Sequence, residues 1–152
     1  MGCRGRGKGV AGRSQGWSNP VMSLSVDVFV IGPDGTRELL DVPPDASDLA
    51  GFESWRRTVW GAPAVRSLGA RFLPRLADGD CVVQPHEVAE FAAECALLRE
   101  HQERVVRAVL EADDGERPKT YEELLHLFGR RLDNIIDAAR RAREAGGGVI
   151  VW

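Results

Sequence analysis

Apolar and polar residues alternate from Leu24 to Val28, and the run Val28-Phe29-Val30-Ile31 is then apolar at every position. Alternation is the period of a strand with one covered face; the run that follows predicts a strand covered on both. Gly32-Pro33-Asp34-Gly35 carries turn chemistry, with proline suited to the second turn position and glycine to the last. Arg37–Val42 reads as a returning strand stopped by Pro43 and Pro44, so the chain is expected to open with a β-hairpin.

A helical period takes over further on. Asp45, Ser47 and Asp48 offer N-caps, and Phe52, Trp55 and Val59 fall at steps of three and four, which predicts a short helix ended by Gly61. Pro63 suits the first turn of a second short helix with Val65, Leu68 and Phe72 buried. Asp78-Gly79-Asp80 is a turn before a short strand, Cys81-Val82-Val83. From Pro85 to about Ala112 one helix is expected, its stripe being Val88, Phe91, Cys95, Leu98, Gln102, Val105 and Val109. The turn at 113–118 breaks it. Thr120 and Glu123 then form a capping-box pattern, and Tyr121, Leu125, Phe128, Leu132, Ile135, Ala139 and Ala142 make the stripe of a long last helix. Three glycines end it, and Val149-Ile150-Val151-Trp152 predicts a buried strand beside the first. The pattern is that of an α+β domain: a small sheet, made of the N-terminal hairpin plus the C-terminal strand, packed against a helical layer with a long two-helix pair.

Composition sharpens the boundaries. The 152 residues are 43% hydrophobic and 28% charged, which fits one globular domain and excludes a fibre or a disordered chain. No stretch approaches the roughly 18 apolar residues of a membrane span. The net charge of −3 is unevenly spread. Residues 1–21 hold six glycines, four cations and no acid, which leaves residues 22–152 at a net charge of −7. Such a segment buries too little apolar surface to offset its ordering entropy, so a disordered basic tail is expected, with Met22 as the start of the single folded domain. Three cysteines, one in the tail, suit a reducing, cytoplasmic setting better than a disulfide scaffold.

Candidate chemistry is sparse. His86, Glu90, Glu94 and His101 share one helical face, but 15 residues separate the histidines, about 22 Å along a helix. They cannot share an ion, and the face reads as solvated. Cys95 lies on an apolar stripe and Cys81 opens an apolar run, positions of inert thiols. No phosphate-binding loop or nucleophile elbow occurs, so no catalytic residue, metal or cofactor is implied.

Two positive signals remain. Leu124-Leu125, Phe128-Gly129 and Ile135 have helix-turn-helix spacing, which would load Arg130, Arg131, Arg140, Arg141 and Arg143 onto a recognition helix, with GGGVIVW as a truncated wing. Against this, the apolar stripe passes Gly129 without a phase slip, and Asp133 and Asp137 lie among the arginines, where they can pair. The other signal is Trp55, Arg56, Arg57 and Trp60, the composition of an interface anchor. On an α-helix Trp60 would point away from Phe52 and Trp55, leaving its ring partly exposed beside Arg57.

The stretches FESWRRTVWG at 52–61, SLGA at 67–70, RLDNI at 131–135 and AGGGVIVW at 145–152 resemble a family of small uncharacterised bacterial proteins. That resemblance implies a free-standing bacterial α+β domain and carries no activity. The leading functional expectation is a non-catalytic cytoplasmic module that binds a protein partner through Trp55–Trp60. The alternatives are a winged-helix-like DNA-binding regulator using residues 120–152, and a small enzyme whose site is formed by residues distant in sequence. Because residues 1–21 cannot pack, their deletion should leave the Tm within error; a drop of several degrees in a thermal melt would show that they contribute to the fold.

Overall fold

The computed structural model describes residues 23–112 and 120–152. The expected basic tail and the turn at 113–118 lie outside the described residues.

The opening hairpin is present. Strand β1 (Ser23–Ile31) pairs antiparallel with β2 (Arg37–Leu39), placing Phe29 opposite Leu39 and Ile31 opposite Arg37. The turn closes through the Gly35 N–H on Gly32 O at 2.9 Å and the Gly32 N–H on Thr36 O at 2.8 Å. Gly35 takes φ +84°, which L side chains rarely adopt.

The return strand ends at Leu39, three residues short of the expected Val42, and a separate strand after the prolines, β3 (Leu49–Phe52), pairs with the other half of the same edge of β1, Leu49 opposite Ser25 and Phe52 opposite Ser23. The helix expected from Asp45–Asp48 onward is therefore absent at its start. Those residues span the gap between two ladder segments, and Asp48 O accepts the Val26 N–H at 2.8 Å.

A single π-helical turn, Arg56–Trp60, replaces the rest of that helix. Helix α1 (Pro63–Ser67) begins at its proline as expected. A 3-10 turn (Leu73–Ala77), strand β4 (Cys81–Val83) and a second 3-10 turn (Pro85–Glu87) follow. The single helix expected to Ala112 is two: α2 (Val88–Glu100) and α3 (Gln102–Ala112), parted at His101, which leaves helical geometry at φ −107°, ψ 25°. The break falls beside Gln102, the one polar residue in the apolar stripe.

Glu94, expected on a solvated face, is buried. Its Oε1 accepts the Arg71 and Phe72 N–H groups at 2.6 and 3.0 Å, and its Oε2 accepts the Leu73 N–H at 2.9 Å. A carboxylate thus satisfies amides at the start of the 3-10 turn that have no partner inside it.

Helix α4 (Tyr121–Ala145) is continuous. The capping box closes as expected, with the Glu123 N–H on Thr120 Oγ1 and the Thr120 N–H on Glu123 Oε1, both at 3.0 Å. Gly146 ends it at φ +69°, and the Gly147 N–H reaches back to Ala142 O at 2.8 Å. The chain then enters β5 (Gly148–Val151), which lies between β1 and β4 and pairs antiparallel with both. The sheet order is β2-β1-β5-β4, with β3 also on β1. The architecture is a small α+β fold.

Val26, Val28, Val83, Val149 and Val151 join Phe91, Leu98, Phe128, Leu132 and Ile135 in one core beneath the helices. Trp152 departs from expectation: it is 40% exposed, and its indole N–H donates to Asp27 Oδ2 at 2.9 Å. It pairs with Ser25, so its side chain shares the sheet face of Asp27, away from the core.

Val149 and Val151 are fully buried and Ile150 nearly so. Burial of each contributes about 1.5–3 kcal/mol, a large part of a domain's roughly 5–15 kcal/mol. Truncation after Gly148 should therefore abolish the folded state. Gly148→Ala should destabilise severely, because its Cβ would sit 2.2 Å from Val83 O. Native-like circular dichroism in the truncated chain would contradict the central placement of β5.

Candidate functional site

The Trp55–Trp60 segment is core rather than surface. Trp60 is fully buried and Trp55 is 4% exposed. The cause is the π-turn. The wider i→i+5 turn brings residues five apart closer to one face than an α-helix does, and both rings point inward. They meet edge to face at 5.7 Å, and Trp60 stacks at 5.3 Å on Phe128 of α4. The Trp60 indole N–H donates to Ala50 O of β3 at 2.9 Å. Gly51 belongs to the same arrangement: at φ +117°, any Cβ there would meet the Trp55 ring at 2.5 Å. Arg56 is spent on structure, pairing with Glu53 and donating to Gly79 O at 2.6 Å and Asp80 Oδ1 at 3.3 Å. Only Arg57 of the four is exposed.

The arginines of α4 are placed differently. Gly129, the expected turn glycine, lies inside the unbroken helix and is buried; a Cβ there would meet Arg99 Nη1 of α2 at 3.0 Å. It is a point of close approach between helices, and the helix-turn-helix geometry is not formed. Asp133 pairs with Arg99 at 3.5 Å, not with its arginine neighbours on α4. Asp137 is the shared acid: Arg140 Nη2 donates to its Oδ1 at 2.6 Å and Arg141 Nε to its Oδ2 at 2.9 Å. Arg140 Nη1 also donates to Glu144 Oε2 at 2.9 Å. Desolvation alone would raise the Asp137 pKa, but hydrogen bonds from Arg140 and Arg141, and their charges, hold it below the usual carboxylate range.

Arg130, Asn134, Asp137 and Arg141 succeed one another at steps of four, three and four, one polar stripe of α4. With Arg140 they form one wall of a cavity of about 450 Å³. The facing wall is the excursion between β2 and β3, with Pro43, Pro44 and Ala46 supplying apolar surface and Asp45 and Ser47 polar groups. The Asn134 amide ties the walls together by donating to Leu49 O at 2.9 Å. Two cations here are under-used. Arg130 is exposed and forms no ion pair or hydrogen bond with a described residue. Arg141 is mostly buried, its side chain 13% exposed, and its Nη2 is buried with no hydrogen-bond partner among the described residues. Arg131 and Arg143 lie outside this cavity. Burial, with the like charge of Arg130 beside it, lowers the Arg131 pKa.

The signal for this site was in the sequence as the stripe 130-134-137-141. What could not be read was the opposite wall, since nothing local shows that residues 43–47 cross over α4.

Other chemistry is poorly served. Burial pushes the Cys81 thiol up to about 12 and the Cys95 thiol upward as well, the wrong direction for a nucleophile. Among the described residues no group of three or more His, Cys, Asp or Glu side chains is placed to hold a metal ion. No described helix is long and apolar enough to cross a membrane. Comparison with protein-family models, curated proteins and solved structures returns no match.

Two substitutions separate the core reading of the tryptophan segment from a surface one. Trp60→Ala should cost about 3–5 kcal/mol, whereas Arg57→Ala should stay within about 0.5 kcal/mol; denaturant titration of both checks this, and near-wild-type stability of Trp60→Ala would refute the burial. A third concerns pH. A carboxyl with a depressed folded pKa stabilises above its unfolded value, and that contribution is lost as pH falls through the folded pKa. Asp137→Asn should therefore cost about 1 kcal/mol or less at pH 7, with the cost shrinking as the solution is acidified. An equal cost at every pH would mean that packing, not charge, is what the asparagine disturbs.

Proposed function

We propose that the protein is a non-catalytic binding module that docks a protein partner over the arginine stripe of α4, at the cavity closed by Pro43–Ser47. The observation that carries this reading is Arg130, exposed and without an ion pair or hydrogen bond to a described residue, at the rim of a polar hollow that Asn134, Arg140 and Arg141 also line. An exposed guanidinium with no partner inside the fold keeps its donors for an external acceptor. Arginine is also the cation best suited to such contacts, since its planar fork pairs with oxyanions bidentately and is weakly hydrated.

The geometry supports the DNA-binding alternative less well. Helix α4 runs without a turn, and Arg140 and Arg141 already share Asp137, which leaves fewer cations for phosphates. The larger hollow, about 650 Å³, is the outer side of α3, where Glu100, Glu103 and Glu111 offset Arg104 and Arg107. Among the described residues it holds no buried side-chain polar atom without a partner.

The test is quantitative capture on the immobilised full chain, wild type against Arg130→Ala, followed by hydrogen exchange on the complex. A partner held by the wild type, weakened at least tenfold by Arg130→Ala and protecting residues 43–47 and 130–141, is the expected result. Protection confined to another surface would overturn the assignment of the site.

A further inference from the structure

We infer that the sheet face turned away from α4 is the interface of a two-fold dimer, and that its occupant is a second copy of this chain lying on it with its strands reversed. This surface is separate from the cavity on α4 and stands independently of the docking proposed there.

Strand pairing fixes which side chains share the face. Leu49 lies opposite Ser25, and Trp152 pairs with the same serine. Ile150 lies between Asp27 and Val82, Leu39 opposite Phe29, and Arg37 opposite Ile31. Residues opposite one another across a ladder point to the same side of the sheet, as do alternate residues along a strand. The Trp152 indole bonded to Asp27 and the Arg37 guanidinium 5.5 Å from the Phe29 ring centroid agree with that placement. Val26, Val28, Val149 and Val151 point the other way, into the core.

A sheet face left to water is normally polar at most positions. This one carries Ile31, Leu39, Leu49 and Trp152, and among the described residues Leu40 alone is a large exposed apolar side chain elsewhere. Phe29 and Ile150 are buried in the middle of the face, yet neither belongs to the core cluster beneath the helices. They form the centre of a second apolar layer, the kind of surface that marks an interface.

The charges on the face run head to tail. Arg37 stands at the Ile31 end. Asp27 stands four residues back along β1, about 13 Å at roughly 3.4 Å per residue. Asp48 is close enough to Asp27 that burial and then the Asp27 charge raise its pKa. None of the three forms an ion pair with a described residue. A two-fold axis crossing the strands near Phe29 brings Arg37 of one protomer to Asp27 and Asp48 of the other, and does so twice. An isologous contact needs a surface complementary to itself, and a cation at one end with carboxylates at the other meets that need when the strands are reversed. The apolar rows between the two ends then pack on each other.

The face is modest in size. Four strands at about 4.8 Å and six residue steps at about 3.4 Å give roughly 400 Å² in projection, against about 800 Å² per partner in a standard interface. The dimer is therefore reversible rather than permanent.

Sedimentation equilibrium of the full chain from about 10 μM to about 1 mM measures the association, and circular dichroism checks that each variant is folded. The wild type is expected to exchange between monomer and dimer. Ile31→Lys, at an exposed position, should weaken the dimer at least tenfold. Arg37→Glu sets carboxylate against carboxylate at both ends and should also weaken it at least tenfold; Asp27→Lys sets cation against cation and should weaken it too. An equimolar mixture of these last two should associate at least tenfold more tightly than Arg37→Glu alone, because in the mixed dimer the two reversed charges meet each other. A wild type that stays monomeric throughout would overturn the inference. Dimerisation only after removal of residues 1–21 would make that segment the occupant and overturn it equally. A dimer indifferent to Ile31→Lys would place the contact on another surface, and a mixture that regains nothing would overturn the reversed two-fold arrangement.

Discussion

The structure depends on the insertion of β5, Gly148–Val151, into the middle of the sheet. Strand β5 lies between β1 and β4, so the sheet is incomplete until β5 is in place. The entry is narrow. A Cβ at position 147 would lie 2.0 Å from Phe29 O, and one at 148 would lie 2.2 Å from Val83 O and 2.5 Å from the Phe29 ring. Only glycine fits either position. The first glycine of the three has a different task, reversing the chain at the end of α4 with φ +69°. Because the reversal is so short, α4 must lie directly on the sheet it has just joined. Its apolar stripe, Phe128, Leu132, Ile135, Ala139 and Ala142, is then driven against β1 and β5. The polar stripe on its flank is fixed by the same step.

The features legible in the sequence were those decided by local chemistry. The hairpin turn, the Pro63 start, the Thr120–Glu123 capping box and the triple-glycine stop each depend on residues within a few positions of one another. The α+β class followed from summing them. What was missed depends on partners far along the chain. Trp55 and Trp60 fit an α-helical period poorly. The π-turn places both rings against Phe128, about 70 residues on, and no local periodicity reveals that. Glu94 resembled a solvated acid because the amides it satisfies belong to residues 71–73. Gly129 resembled a turn because its real reason, the Arg99 guanidinium crossing over it, comes from another helix.

The same division accounts for the candidate site. Half of it is one helical stripe and could be read from the sequence as such. The other half exists because the return strand ends at Leu39. Pro43 and Pro44 have no N–H to donate, so the ladder along β1 cannot run through them. The chain leaves the edge after β2 and rejoins it at β3, on the same side of β1. The residues between have nowhere to go but outward over α4, where Asn134 holds the point of return through Leu49 O. A defect in the sheet thus becomes the wall of a cavity.

That origin also explains why the cations there are not neutralised from within. Along α4, arginine and aspartate recur on one stripe, and helical spacing lets Asp137 reach Arg140 and Arg141 together. Asp137 serves both arginines and Glu144 takes a second nitrogen of Arg140, yet Arg141 Nη2 is left over. Asp133, which could have balanced Arg130, turns instead toward Arg99 and stitches α2 to α4. The helix packing therefore takes one acid away from the stripe, and the excursion closes over what remains. Arg141 Nη2 is left over because Asp137 engages only the Nε of that guanidinium, the other carboxylate oxygen being held by Arg140.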